Sequence, residues 1–135
     1  MKKHFYAGVL DLAVLGAFLA PTSAAQAPPT GIRRSTLQQH DLATPGLEAV
    51  QARIDFEPGA AFGRHKHPGE EIIYVLNGSL QYLVDGKPPV TLRAGETLFI
   101  PAGTVHAARN VGKGQAAELA TYVVTKNKPL LTLVE

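Results

Sequence analysis

Two stretches of the sequence decide the fold. The first reads Gly59-Ala-Ala-Phe-Gly-Arg-His65-Lys-His67-Pro-Gly-Glu-Glu71-Ile-Ile-Tyr-Val-Leu-Asn-Gly78, and the second reads Gly95-Glu-Thr-Leu-Phe-Ile-Pro101-Ala-Gly103-Thr-Val-His106-Ala-Ala-Arg-Asn110. Successive side chains of a strand point to opposite faces, so His65 and His67 share a face, and Glu71 has the same parity. With His106 on a later strand, three imidazoles and a carboxylate could bind a divalent first-row metal.

The segments around these stretches predict an all-β domain. Val50, Ala52, Ile54 and Phe56 alternate with polar residues, which is typical of a half-buried strand. We predict further strands at 72–76, 80–84, 90–92, 97–100, 105–108, 119–124 and 130–134, separated by turn residues. No stretch after residue 27 shows a period of 3.6 residues, so the prediction is an antiparallel sandwich or barrel.

Through these stretches the chain closely resembles the cupin superfamily, and specifically its small single-domain members. The first cupin motif is Gly, five residues, His-Xaa-His, three or four residues, Glu, six residues and Gly, which positions 59–78 fit throughout. The second is Gly, five residues, Pro-Xaa-Gly, two residues, His, three residues and Asn, which positions 95–110 fit throughout. The resemblance implies a jelly-roll barrel of two antiparallel sheets, the double-stranded β-helix.

The resemblance also implies a metal bound by the residues matching His65, His67, Glu71 and His106. Metals of the family include iron, manganese, nickel, copper, cobalt and zinc, and the sequence does not choose among them, because occupancy depends on supply as much as on affinity. Glu70 is the rival of Glu71, but family spacing and strand parity both favour Glu71.

Composition excludes several kinds of chemistry. The 135 residues contain no cysteine, so the chain has no disulfide, thiolate metal site, iron–sulfur cluster or thiol nucleophile. Thirteen lysines and arginines against eleven aspartates and glutamates give no electrostatic case for nucleic acid as a partner. We expect a small-molecule ligand or substrate.

The N-terminus predicts export. Lys2 and Lys3 precede an apolar run at 12–20, and small residues follow it, so we predict a cleaved signal peptide at residues 1–27 and a periplasmic or secreted protein. A permanent membrane anchor is the weaker alternative, because the run is short. Residues 28–48 are predicted to form an arm with at most a short edge strand at 35–39, and residues 49–135 the barrel.

One apolar face and several cations bear on partners and substrate. Ile72, Tyr74 and Leu76 face away from the barrel and need a cover, either the arm or a second subunit, so we expect a homodimer. Strand parity directs the cations next to the motifs away from the metal; these are Arg53, Arg64, Lys66 and Arg109. A dianion such as oxalate would need a cation, so a neutral, aromatic or enolic substrate is favoured. Tyr82 and Tyr122 are possible polar contacts of a ligand, but a core or surface position is favoured for each.

Two kinds of function remain open. The first is a metal-dependent, dioxygenase-like oxidoreductase, in which Glu71 is either a ligand or a base that takes a proton. The second is a binding module whose metal is structural or fixes a small ligand without turnover. An isomerase or decarboxylase is a third possibility, which the missing cation disfavours. We favour the enzyme, because the ligand set is intact.

Overall fold

A computed structural model describes residues 29–135, so the predicted signal peptide at 1–27 lies outside the described residues. Those residues contain no helix, and hence none long and apolar enough to cross a membrane. Their strands are β1 (Ile32–Asp41), β2 (Leu47–Phe56), β3 (Ala61–Lys66), β4 (Gly69–Asn77), β5 (Ser79–Val84), β6 (Val90–Arg93), β7 (Thr97–Ile100), β8 (His106–Asn110), β9 (Ala116–Thr125) and β10 (Thr132–Leu133).

The strands form two five-stranded antiparallel sheets. The first sheet has the order β1-β2-β9-β4-β7, and the second has the order β10-β3-β8-β5-β6. Strands that are consecutive along the chain are often in different sheets, as β3 and β4 are, so the chain winds between the two layers. The prediction of an all-β jelly-roll barrel is confirmed.

The core lies between the sheets and follows the predicted alternation. In β2, Val50, Ala52, Ile54 and Phe56 are buried, and the residues between them are half-buried. Burying a side chain the size of Phe56 contributes about 1.5–3 kcal/mol. The alternation therefore both identifies the strand and supplies the free energy that holds the two sheets together.

The N-terminal arm is more regular than the sequence indicates. The expected edge strand at 35–39 is the ten-residue strand β1, which pairs with β2 from Ile32 opposite Phe56 to Asp41 opposite Glu48. A register shift between Thr36 and Gln38 interrupts the pairing. Most side chains of β1 are exposed, so no apolar alternation marks the strand in the sequence. The arm is thus part of the first sheet.

The link between β3 and β4 preserves side-chain parity across the change of sheet. His65, His67, Gly69 and Glu71 are all buried, and the residues between them are more exposed. Pro68-Gly69 therefore preserves the alternation that places Glu71 on the same face as His65 and His67.

Gly69 is required by a close approach of backbones. A Cβ at this position would lie 2.0 Å from the carbonyl oxygen of Val123 and 2.6 Å from the Cα of Val124. Real Cβ atoms do not come so close to backbone, so a glycine is what lets β4 begin directly against β9. This contact brings Glu71 inward beside the second sheet.

The outer face of the first sheet carries exposed apolar side chains. Ile72 and Tyr74 are each 45% exposed, Leu76 is 36% exposed, and the neighbouring Phe99 is 53% exposed. Two strands separate β1 from β4, so the described part of the arm does not cover this face. The homodimer stays a prediction.

Candidate metal centre

The predicted ligands come together from both sheets. His65 lies on β3 and His106 opposite it on β8, both in the second sheet. His67 lies in the link after β3, and Glu71 lies on β4 of the first sheet. Their four potential ligand atoms all lie within 4.8 Å of one another, and each side chain is at most 6% exposed. Glu70, the rival, lies opposite Val123 on the outer face of the sheet.

A β-bulge in β3 adjusts the position of the first histidine. The register between β3 and β8 shifts between Phe62 and His65, and beyond the shift His65 lies directly opposite His106. The two imidazole centroids are 4.1 Å apart. The extra residue changes the local twist and aims the side chain, which is a common use of bulges near functional sites.

Backbone carbonyls determine which nitrogen of each imidazole faces the cluster. The Nδ1 of His65 lies 2.7 Å from the Gly63 oxygen, that of His67 2.6 Å from the Leu130 oxygen, and that of His106 2.9 Å from the Thr104 oxygen. A carbonyl only accepts, so each Nδ1 carries the proton and donates. Each neutral ring therefore presents the Nε2 lone pair to the cluster, as metal-binding histidines do.

The converging atoms are acceptors without donors. The Oε2 of Glu71 lies 2.9 Å from the Nε2 of His106 and 3.3 Å from the Nε2 of His67. The buried Oε2 of Glu71 and Nε2 of His67 have no hydrogen-bond partner. Ligand atoms about 2.1 Å from one ion are about 3 Å apart when adjacent, which matches these separations. Lone pairs gathered in this way need a cation, so the four residues fit one divalent metal.

The surroundings favour the protonation states that bind a metal. Burial and the nearby charge of His106 lower the pKa of His65 to about 4. Burial raises the pKa of Glu71, but His106 and His67 outweigh it and lower that pKa to about 2. At neutral pH His65 is therefore neutral and Glu71 ionised, so this part of the ligand set is ready for a cation.

The four residues form part of the wall of a cavity of about 200 Å³ between the sheets. Pockets for drug-sized ligands span about 300–1,000 Å³, so this cavity suits a small molecule. The wall is largely aliphatic and aromatic; it includes Ile54, Phe56, Phe62, Ile73, Ala108 and Leu130. The metal ligands are thus accessible from one small, mostly apolar space.

Two tyrosines line the cavity as well. Tyr82 and Tyr122 are 1% and 3% exposed, and the ring centroid of Tyr122 lies 4.7 Å from that of His67. Burial raises the pKa of each hydroxyl above its usual range. Both are therefore buried, as favoured from the sequence, and both also line the cavity, which was the less favoured alternative.

Glu118 is a cavity residue that sequence reasoning missed. It is 3% exposed, and its Oε2 accepts a hydrogen bond from the Tyr82 hydroxyl. Burial and the charge of Glu71 raise its pKa to about 8. The available signal was its parity with the buried Ala120 and Tyr122, but the predicted strand began at 119, one residue after Glu118, whereas β9 begins at Ala116.

Arg34 overturns the premise that no cation reaches this space. It lies on β1 opposite the buried Ile54, lines the cavity, and places its guanidinium carbon 5.8 Å from the centre of the Tyr122 ring. The side chain is exposed, so it lies on the solvent side of the cavity. The sequence shows no strand pattern in this part of the arm, so Arg34 was not included among the cations near the metal.

The four cations next to the motifs, which strand parity directs away from the metal, lie outside the cavity wall. Arg64 forms two hydrogen bonds with Asp85, Arg53 contacts Asp55, and Arg109 donates to Gln81. Lys66 is exposed, as is His40, which lies outside the ligand cluster. Strand parity therefore predicts the directions of these four side chains correctly. The prediction that no cation reaches the cavity is wrong because Arg34 is not one of the four.

The two sheets and the buried His/Glu group define an all-β jelly-roll protein with a candidate metal centre. The chain belongs to the cupin superfamily: the model of the family described as "Cupin domain" matches residues 52–124, which is more than half of the chain. That match includes the four candidate ligands and excludes the whole arm.

Proteins with several different names resemble this chain. It is 32% identical over 89 residues to dimethylsulfoniopropionate lyase DddQ of Ruegeria pomeroyi, covering 65% of this chain and 44% of that protein. It is 36% identical over 74 residues to the oxalate-binding protein of Thermotoga maritima, covering 54% and 60%. A solved structure of oxalate oxidase is similar with a TM-score of 0.64 and 32% identity, covering 80% and 57%. The alignments thus span less than two thirds of these relatives.

We expect the purified, untagged protein to contain about one divalent metal per chain by elemental analysis. His65→Ala and His106→Ala, alone or together, are expected to lose that metal, because each removes a lone pair from the cluster. Glu70→Gln is the matched control for Glu71→Gln: the first is expected to keep the metal and the second to bind it at least about tenfold more weakly. Unchanged metal content in the double histidine variant would contradict the ligand assignment.

Glu118→Gln is expected to stabilise the fold at alkaline pH. The folded-state pKa of about 8 lies above the ordinary 4.5, so the stability associated with this carboxyl is complete below pH 4.5 and is lost as pH rises towards 8. Denaturant unfolding should show a gain of about 2–4 kcal/mol at pH 9 that shrinks at pH 4. Glu48 is half-buried on β2 and lies outside the cavity wall, so Glu48→Gln should stay within about 0.5 kcal/mol of the wild type. An equal gain at both pH values would refute the assignment.

Proposed function

We propose that this cupin is a metal-dependent enzyme, a dioxygenase-like oxidoreductase that acts on a small enolic or aromatic substrate. One observation carries the proposal: four buried, converging side chains that fit a metal lie in the wall of a small cavity. A purely structural ion would need no such space beside it. Relatives named as enzymes, among them a lyase and an oxalate oxidase, support catalysis of some kind.

The residues of the chain have distinct tasks under this proposal. His65, His67 and His106 hold the metal, and Glu71 completes the set as a ligand. When bound, the ion supplies Lewis acidity and, if it is iron, manganese, nickel, cobalt or copper, redox chemistry. The apolar wall excludes water, which strengthens electrostatic interactions with the substrate.

Arg34 widens the range of substrates. The preference for a neutral substrate depended on there being no cation near the metal, and Arg34 removes that reason. A guanidinium on the solvent side of the cavity can pair with a carboxylate at the outer end of a substrate. Relatives named for oxalate support an anion in this position. A small organic anion with an enolic or enolisable inner end therefore joins the proposed substrates.

Two alternatives differ from the oxidoreductase in chemistry. A binding module would hold a metal and a small ligand without turnover, and the relative named oxalate-binding protein supports it. An isomerase, lyase or decarboxylase would move protons without oxygen, and the buried Glu118 favours that class. Export through the signal peptide at 1–27 and assembly as a homodimer remain parts of the proposal; the exposed face with Ile72 and Phe99 supports the dimer.

Oxygen uptake separates the enzyme from the binder. Protein loaded with iron, manganese or nickel is expected to consume oxygen with at least one member of a panel of flavonols, catechols and enediols, and a chelator should abolish the uptake. His106→Ala, treated in the same way, is the control for free metal. No turnover with any metal across the panel would replace the enzyme by the binding module.

Arg34→Gln is expected to weaken anion binding selectively. Calorimetry with zinc-loaded protein should show about a tenfold higher Kd for oxalate, since a charge-assisted contact contributes about 1.5–3 kcal/mol. The Kd of uncharged catechol should change less than about twofold. Arg33→Gln is the matched control, because that side chain faces outward and pairs with Asp55. Equal losses for both ligands would argue against a charge-pairing role.

A further inference from the structure

Glu118 is a buried carboxyl that no ligand or packing role explains. Its side chain is 3% exposed, and the Tyr82 hydroxyl donates to its Oε2. None of the ion pairs formed among residues 29–135 includes it. Burying a carboxyl among apolar groups without a cation destabilises the fold unless the group is neutral. The core would be more stable with a neutral residue here.

The Tyr82–Glu118 pair shares the cavity with the metal ligands. On β4, the partner of Glu118 is Val75, four residues from Glu71, which is about 13 Å along a strand. Tyr82 lies on β5, directly beside β8, which carries His106. Its hydroxyl reaches from the second sheet to Glu118 in the first. The metal ligands and this pair therefore line the same cavity between the sheets.

A hydrogen bond that merely ties the sheets together is the competing explanation. A glutamine at 118 would serve that purpose equally well, because its carbonyl accepts the same hydrogen bond from Tyr82 and carries no charge. A carboxyl differs from this amide in one capability, the reversible binding of a proton. Its place in the cavity wall makes that capability available to a bound molecule.

We propose that Glu118, positioned by Tyr82, exchanges a proton with the substrate. The inference rests on the proposed function, since it takes the cavity as an active site. The Glu118 carboxylate takes a proton from a carbon next to a carbonyl group: the C–H bond breaks, an O–H bond forms on Glu118, and the electron pair stays on the substrate as its enolate. The neutral carboxyl later returns the proton to the product, and no oxidant is needed for either step.

The proposal assigns a substrate class. The molecule is a small carbonyl compound with an acidic C–H bond, or its enol tautomer, and it is short enough for a cavity of about 200 Å³. A carboxylate at its outer end is compatible with Arg34. Pyruvate has this chemistry with a charge, and hydroxyacetone has it without one, so the two serve as probes.

The electrostatic surroundings suit a group that both accepts and returns a proton. Burial and the charge of Glu71 raise the pKa of Glu118 to about 8, and the hydrogen bond from Tyr82 lowers it. Both protonation states are therefore populated near neutral pH, as acid–base catalysis requires. The other titratable or charged groups of the cavity wall are Arg34, His65, His67, Glu71, Tyr82, His106 and Tyr122.

Deuterium exchange tests the step without redox chemistry. Zinc-loaded protein in D₂O, free of oxygen, is expected to accelerate exchange of the C–H protons of pyruvate or hydroxyacetone, followed by proton NMR. Glu118→Gln should reduce the rate by about 100-fold or more while keeping the zinc content and losing no stability, and Glu48→Gln should match the wild type. No acceleration by the wild type with either probe, or equal rates in Glu118→Gln, would overturn the proposal.

A second measurement does not depend on turnover. Infrared difference spectra between wild type and Glu118→Gln at pH 7 should contain the carbonyl stretch of a protonated carboxyl, even in metal-free protein. The Tyr82 hydroxyl lowers the pKa of Glu118, so Tyr82→Phe should raise that pKa. The pH at which the band disappears and the pH midpoint of the exchange rate should then both be higher than in the wild type. A band missing from the difference spectrum would overturn the role of Glu118, and an unmoved midpoint would overturn that of Tyr82.

The two proposals fail in different ways. Proton exchange without oxygen uptake under any metal would keep Glu118 in its role and replace the oxidoreductase by an isomerase or lyase. Oxygen uptake that is the same in wild type and Glu118→Gln would support the oxidoreductase and refute proton transfer by Glu118.

Discussion

The site depends on the orientation of three imidazole rings. Each Nδ1 donates to a backbone carbonyl, that of Gly63, Thr104 or Leu130, so each Nε2 presents a lone pair to the Glu71 carboxylate. Four acceptors within 4.8 Å, almost fully buried, repel one another until a cation lies between them. Leu130 lies outside both sequence motifs, so the ligand geometry is a property of the closed barrel and not of the motifs alone.

The same cavity holds two carboxyl groups in opposite surroundings. Glu71 lies beside His67 and His106, which in their protonated form favour its charged state, whereas burial and the charge of Glu71 favour the neutral state of Glu118. A carboxylate that binds a metal has to stay charged, while a carboxyl that exchanges a proton has to be able to change its protonation state. Both residues are glutamates, so their surroundings and not their residue type separate metal binding from proton exchange. Other sites whose paired carboxyls have divergent pKa values work in the same way.

The sequence was sufficient for the barrel and for the cluster of four candidate ligands, because both follow from local rules. Alternation marks β2, and the spacing of the two motifs places the histidines and Glu71 on one face. The sequence was insufficient for Arg34 and Glu118. β1 is a strand because it pairs with β2, a long-range contact that leaves no apolar pattern in a mostly exposed segment. Glu118 has the parity of a buried residue, but carboxylates are so seldom buried that its residue type argues against a buried position.

Motif residues and flanking residues therefore carry different information. The donor atoms for the metal lie within the two motifs, whereas Arg34 and Glu118 lie on β1 and β9, which both pair with β2 in the first sheet. Proteins can share the motifs and still surround the metal with different charges, and relatives named as a lyase and as an oxidase share similarity with this chain. Under the proposed function, the charge of the substrate and the proton that it gives up depend on Arg34 and Glu118, which lie outside the motifs. A family resemblance carried by the motifs thus predicts a metal far better than it predicts a reaction.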